Sequence, residues 1–344
     1  MTGRAVAVQG GVAVIALIAA YGTWQRAPEL GTGEVFVLDL TKNDLDKVRF
    51  EDLEAKSWSE LTKGKDSEGS FVQLRTSGYD STGVALPSGH PGIALKMPER
   101  LVRANEAGER IFERFAPLRA SRALGVLDST KVKELGLDTT KTFLEVTARG
   151  VKRRFAIVPA PPGGSDPYVK DLQDNRVFIV ARPLLSDMQS ASTNLVERRL
   201  HSFRIEDIDR LTIKAGGKQK DLVAKRIEEY PGVKLAPVET PDKTDETLKN
   251  WHGRIFNLFP AEVLGKDEVP APAAPVVAVR LEYSSRGRRL GWLEIARSGA
   301  PAVSSDKPLP SDVYARSEFS AGWVKLSGDA QGLLNEGESL IAKK

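Results

Sequence analysis

The residues best suited to chemistry are two aspartate pairs, Asp44 with Asp46 and Asp207 with Asp209. Two carboxylates so close could divide the acid and base roles of a hydrolase. Their setting argues for another use. Each pair stands at the entry to a β-type run, Val48-Arg49-Phe50 in one case and Leu211-Thr212-Ile213 in the other, where aspartate commonly builds a turn. The three histidines, His90, His201 and His252, are far apart, and none has the spacing or glutamate partner of a zinc helix. The absence of cysteine excludes disulfides, thiolate metal sites and a lipobox-type lipid anchor. Ala215-Gly216-Gly217-Lys218 shares its ending with a phosphate-binding loop. However, Thr212 stands where the first glycine would be and Gln219 where Ser or Thr would be, so a β-turn is expected. There is no nucleophile elbow and no dinucleotide fingerprint. This inventory assigns no catalytic residue, no cofactor and no metal ligand.

Lysine and arginine exceed aspartate and glutamate by only four over 344 residues, which excludes the concentrated basic stripe of a nucleic-acid binder. Arginines do gather beside two expected hairpin turns, at Arg153 and Arg154 and at Arg286, Arg288 and Arg289. They read as solvated surface, with contact to an anionic headgroup or polymer as the sharper alternative.

The frame that must position these residues occurs twice. Arg110-Ile111-Phe112-Glu113-Arg114-Phe115 returns as Arg254-Ile255-Phe256-Asn257-Leu258-Phe259, identical at four of six positions. In the first copy Ala104, Ala107, Ile111, Phe115 and Leu118 share one face of a helix over 105–115, with Glu106 four residues before Arg110. The spacing predicts that Ile111, Phe112, Phe115, Ile255, Phe256 and Phe259 are buried. Short apolar runs at Val35 to Leu38, Val48 to Phe50 and Phe71 to Leu74 predict an antiparallel meander. Asp128 can cap a short helix that Gly136 ends. A hairpin at 143–158 with Gly150 in its turn, a strand pair at 168–181 and a helix starting at Pro183 follow.

The second half repeats this order, with Asp207 to Ile213 over Asp44 to Phe50, a hairpin joining Leu281-Glu282-Tyr283 to Trp292-Leu293-Glu294-Ile295, and a pair at 313–326. The tail after Ser327 suggests only a weak helix. The copies are offset by 163 residues at Asp44 and by 144 at Arg110, so the first carries nineteen extra residues between those markers. The Gly/Pro-rich stretch 77–98 is their natural home. A loop of that length is usually functional or disordered, and the functional reading makes Tyr79, Val84, Leu86, His90 and Ile93 candidate partner contacts.

Residues 5–24 form the most distinct stretch, with Gln9 and Thr23 as its only polar members and Arg4 and Arg26 at its ends. As a helix it would run about 30 Å, one bilayer core. Ala5, Val8, Val12, Ile15 and Ile18 would meet lipid, and Tyr21 and Trp24 would sit at the aromatic belt. A signal peptide cleaved near Ala20-Tyr21-Gly22 and a buried soluble helix are the alternatives. The resulting plan is α+β: an N-terminal transmembrane anchor over 1–26, a linker over 27–33, and two related lobes of antiparallel sheet with packed helices, 34–199 and 200–344.

Several features together resemble a known family. They are the apolar span, the Val35-Phe36-Val37-Leu38-Asp39-Leu40 opening with Asp44-Leu45-Asp46-Lys47-Val48, the Glu134-Leu135-Gly136-Leu137-Asp138 element, and Tyr168-Val169-Lys170 with Arg176-Val177-Phe178. In these the chain is similar to the bacterial domain of unknown function 4340 family across most of residues 5–330. The resemblance implies a single-pass inner-membrane protein whose body faces the periplasm, with the permease and ATPase subunits of a gliding-motility-type ABC transporter as partners. No catalytic residue is established in that family. The alanine-rich style resembles a gliding myxobacterial member, for which type IV pilus assembly is the implied setting. The leading expectation is therefore a non-catalytic accessory subunit, followed by a module binding an envelope polymer or lipid, and then by a carboxylate hydrolase.

Overall fold

The computed structural model describes residues 33–66, 69–80, 95–158, 166–228, 232–270, 273–298, 312–320 and 322–342. The fold is α+β and its sheets are antiparallel. In the first half the strands are β1 (Val35–Leu38), β2 (Leu45–Asp52), β3 (Ser57–Asp66), β4 (Gly69–Asp80), β5 (Leu95–Arg103), β6 (Leu118–Ala120), β7 (Arg122–Val126), β8 (Thr142–Ala148), β9 (Val151–Val158), β10 (Tyr168–Asp171) and β11 (Arg176–Ile179). Its helices are α1 (Glu106–Arg114), α2 (Ser129–Glu134), α3 (Arg182–Gln189) and α4 (Ala191–Asn194). The second half holds β12 (Arg210–Ala215), β13 (Lys218–Arg226), β14 (Val233–Pro237), α5 (Glu246–Phe256), β15 (Pro260–Val263), β16 (Val276–Ser285), β17 (Arg288–Arg297), β18 (Val313–Ser317), β19 (Val324–Leu326) and α6 (Ala330–Ala342).

The first large sheet runs β5-β4-β3-β2-β8-β9-β10-β11-β7 and the second β14-β13-β12-β16-β17-β18-β19-β15. Apart from β5 at the edge of the first, the two orders are the same path through the same succession of elements. Each half has its own core. The first gathers buried residues from Val37 to Val196 and the second from Leu200 to Ile341, with Val263 touching both. The halves of the chain thus form two lobes that change over between Val196 and Leu200.

Local sequence explains the elements. Asn105 caps α1 by accepting from Gly108 N at 3.0 Å, and Asp245 caps α5 by accepting from Leu248 N at 3.0 Å. Asp128 caps α2 on Lys131 N at 2.9 Å. The β8–β9 and β16–β17 hairpins turn on Arg149-Gly150 (φ 51° and 74°) and Arg286-Gly287 (φ 50° and 74°). Two successive positive φ values match the twist of the strands, and glycine takes the second of them without Cβ strain. Ala215-Gly216-Gly217-Lys218 is the corresponding turn between β12 and β13.

The structure corrects the sequence reading in four places. The 77–98 stretch is not one loop, because β4 runs through Asp80 and β5 starts at Leu95, paired by registers such as Tyr79↔Lys96 and Asp80↔Leu95. Much of the nineteen-residue excess is therefore the added edge strand β5. Val35 to Leu38 do not join the meander but pair with Leu118 to Ala120 in a separate two-stranded ribbon, β1·β6. The tail is a thirteen-residue helix, α6, held by packing on α5 and not by propensity alone. Finally, Phe259 is 61% exposed, because α5 ends at Phe256 and the chain then turns away from the helical face.

Candidate functional site

Both aspartate pairs fasten turns. Asp44 accepts from Thr41 N at 3.0 Å, Thr41 Oγ1 at 2.8 Å and Arg149 Nε at 2.8 Å. The Arg149 bond, then those from Thr41, holds its carboxyl well below the usual carboxylate range. Asp46 accepts from Gly150 N at 2.9 Å, inside the β8–β9 turn. In the second lobe Asp207 accepts from Arg204 N at 3.1 Å, which lowers its pKa, and Asp209 accepts from Arg286 N inside the β16–β17 turn. The same two jobs recur at the same two places.

Three of the five arginines beside the turns are matched locally. Arg153 pairs with Asp171 and Asp174, Arg154 lies 3.3 Å from Glu51 and over the Phe143 ring, and Arg289 lies 3.4 Å from Glu318.

An aromatic cluster in the second lobe was not anticipated. His252 on α5 is 1% exposed, Tyr283 on β16 is 1% exposed, and His201 on the segment between the lobes is 7% exposed. The His201 ring stacks on Phe256 at 4.4 Å and meets Tyr283 edge-on at 5.2 Å; His252 lies 5.8 Å from Tyr283. Nε2 of both histidines and Oη of Tyr283 are buried without a hydrogen-bond partner among the described residues. Burial pushes the His201 pKa down to about 4. Burial, helped by His201, pushes that of His252 down to about 3. Burial likewise raises the Tyr283 phenol. All three are therefore neutral near pH 7. Sequence reasoning set these histidines aside because they are 51 residues apart; only β-strand pairing and the packing of α5 bring them together.

His201 and Phe256 of this cluster line a cleft of about 780 Å³ at the junction of the lobes. One wall is the segment from Arg198 to Ile205, the opposite wall is Phe256 to Phe259 at the end of α5, and Asn105 of the first lobe stands at the rim. The exposed Phe259 ring lies at its mouth, 5.7 Å from the Arg198 guanidinium, which donates to Pro260 O at 3.1 Å and Ala261 O at 3.4 Å. Arg199 is paired with Glu197 at 2.7 Å and lies near Glu106 at 3.8 Å. The arrangement offers an apolar surface framed by backbone and arginine, suited to binding.

The lobes are clamped beside this cleft. Arg100 on β5 reaches across to Glu262 at 2.7 Å and to both oxygens of Glu268 at 2.8 and 2.9 Å, while Lys266 N donates to Leu101 O at 3.0 Å. Arg103 of the same strand covers the Phe319 ring at 4.5 Å. The edge strand that distinguishes the first lobe is therefore the one that holds the second.

Among the expected functional residues, Tyr79 lies on β4, whereas Val84, Leu86, His90 and Ile93 fall outside the described residues. Ala5, Val8, Val12, Ile15, Ile18, Tyr21 and Trp24 fall outside them too. Among the described residues no helix is long and apolar enough to cross a membrane. No protein-family model, curated protein or solved structure matches the chain.

Proposed function

We propose that the chain is a non-catalytic binding subunit, tethered to the inner membrane by residues 5–24, with two periplasmic lobes descended from one duplicated unit, and that it serves an ABC transporter complex as an accessory. The observation that carries the binding role is the cleft between the lobes, where the Phe259 ring is left 61% exposed by the described residues, beside the partly buried Phe256. Large exposed aromatics in a concave site are typical anchors of partner recognition. The candidate acid and base groups are occupied as turn fasteners, which supports a binding role over hydrolysis. The repeated strand order and the repeated aspartate contacts support the duplication. The tether and the transporter setting rest on the apolar stretch and on the family resemblance.

A second reading, an envelope polymer or lipid binder, draws on the face of the second sheet. There Arg316 covers Trp323 at 4.5 Å and Arg280 covers Trp292 at 4.9 Å. Glu294 sits between the two arginines and accepts from both, which leaves less positive charge for an anionic ligand.

Affinity purification of the full-length protein from detergent-solubilised membranes tests the leading reading. A multi-span permease and an ATPase should co-elute with the wild-type chain, and less of both with Phe259→Ser. Elution of the wild-type protein without either subunit would refute it.

A further inference from the structure

The two lobes differ at the cleft. Asp44 and Asp207 stand 163 residues apart, and the same offset places Val35 to Leu38 over Arg198 to His201. The match is physical as well as numerical: Val37 and Leu200 are each 4% exposed, and Leu38 and His201 each 7%. In the first lobe this segment is strand β1, paired antiparallel with β6 through Val35↔Ala120, Phe36↔Arg119 and Leu38↔Leu118. With Leu118 and Ala120 inserted into the core, Phe115 is 0% exposed. The second lobe has no strand between the end of α5 and β15. There the segment is not a strand, and Arg198, Leu200 and His201 form no backbone hydrogen bond among the described residues. Phe259, the counterpart of Phe115, is correspondingly bare. Side chains make the contacts across the cleft, the Arg198 guanidinium to the carbonyls of Pro260 and Ala261 and the His201 ring on Phe256.

We propose that the cleft is a strand-docking groove and that its occupant is an extended segment of a partner protein, which pairs with the backbone of Arg198 to His201 and covers Phe259 as β6 covers Phe115. This rests on the partner-binding reading above and names the form of the partner. Adding a strand to an unpaired backbone edge gives affinity through main-chain bonds and specificity through alternate side chains. The lining supplies that specificity. β6 buries Leu118 and Ala120 and leaves Arg119 half-buried against Phe36 and Glu34. In the second lobe the position of Phe36 is held by Arg199, which is paired with Glu197, and beside it Arg198 meets carbonyls and no carboxylate among the described residues. The occupant therefore carries small or branched apolar residues on either side of an acidic one, because opposite charges across a strand pair attract and like charges repel.

The test uses the full-length protein and a fluorescent peptide, Pro-Leu-Glu-Ala-Ser-Arg-Ala-Leu, which is the sequence of residues 117–124 with the Arg119→Glu change. Anisotropy should show saturable binding, about tenfold weaker for the unchanged arginine peptide and for Phe259→Ser protein. Binding should be unaffected by Val126→Ser, a control at a comparably exposed apolar site on the first lobe. Hydrogen exchange at the amides of Leu200 and His201 should slow when the peptide is bound. Binding with no slowing at those amides, or equal binding by the Phe259→Ser protein, would overturn the proposal. So would protection of those amides by phosphatidylglycerol vesicles that displace the peptide, or by self-association that the peptide does not reverse. Loss of the groove with co-purification intact would leave the accessory role standing, whereas loss of co-purification with peptide binding intact would do the reverse.

Discussion

At the scale of single residues, Phe112 and Phe259 show how one motif can serve two ends. Phe112 is 1% exposed in the first core, so Phe112→Ala should cost about 3–5 kcal/mol in a denaturant titration, through lost transfer energy and the cavity left behind. Phe259→Ser should change stability by no more than about 0.5 kcal/mol, since an exposed ring contributes little to folding. His201 and His252 carry a pH consequence. Their folded pKa values, about 4 and about 3, lie below the ordinary imidazole value of 6.5, so the unfolded chain binds protons more readily. Stability from this source is complete above pH 6.5 and falls as pH drops toward 4. The loss is on the order of 1.4 kcal/mol per pH unit for each imidazole once the unfolded chain is protonated. Thermal unfolding from pH 7 to 4 should show a steeper loss in the wild type than in His252→Phe.

At the scale of elements, the docking of α6 on α5 is the contact most sensitive to a small change. Trp251 on α5 is fully buried and its indole N–H donates to Leu333 O on α6 at 2.8 Å. Gly337 is the residue over which that indole lies, and a β-carbon there would clash with Trp251 Cζ2 and come 2.9 Å from its Cε2. Gly337→Ala should therefore destabilise by about 1–3 kcal/mol through overpacking, although alanine is the better helix former. A gain in melting temperature would show that α6 can shift to accommodate the methyl group. The hairpin turns are fastened less critically: Asp46→Ala removes one bond to Gly150 N and should cost about 1 kcal/mol.

At the scale of the whole molecule, two cores of similar size are joined by a seam of polar contacts around Arg100, with Val263 packed against both cores. Arg100 is the centre of that seam, its side chain 13% exposed between Glu262 and Glu268. Arg100→Ala leaves two carboxylates facing a vacated site. Because both remain partly solvated, the expected cost is about 1–3 kcal/mol, below that of breaking a fully buried pair. Calorimetry should then resolve two unfolding transitions where the parent shows one or a closer pair. A single unshifted transition would mean that the seam contributes little and that the lobes are coupled elsewhere.

The chain by itself determined its repeat. Periodicity placed α1 and α5, turn residues placed the hairpins at Gly150 and Gly287, and paired aspartates marked where each sheet begins, because these depend on neighbours within a few residues. Tertiary structure decided the rest. Strand β3, with Trp58, Glu60 and Thr62 among its residues, has too weak an apolar alternation to stand out, yet it pairs along its length with β2 and β4. The burial of Phe115 and exposure of Phe259 follow from whether the chain just after the helix pairs with a strand some eighty residues away, as β6 does with β1, which no local spacing records. The cleft likewise arises where the start of the second lobe meets the end of its helix, between segments more than fifty residues apart. Contacts of that range are set by sheet order and not by sequence adjacency, and that is why the last phenylalanine of the repeated motif became core in one lobe and surface in the other.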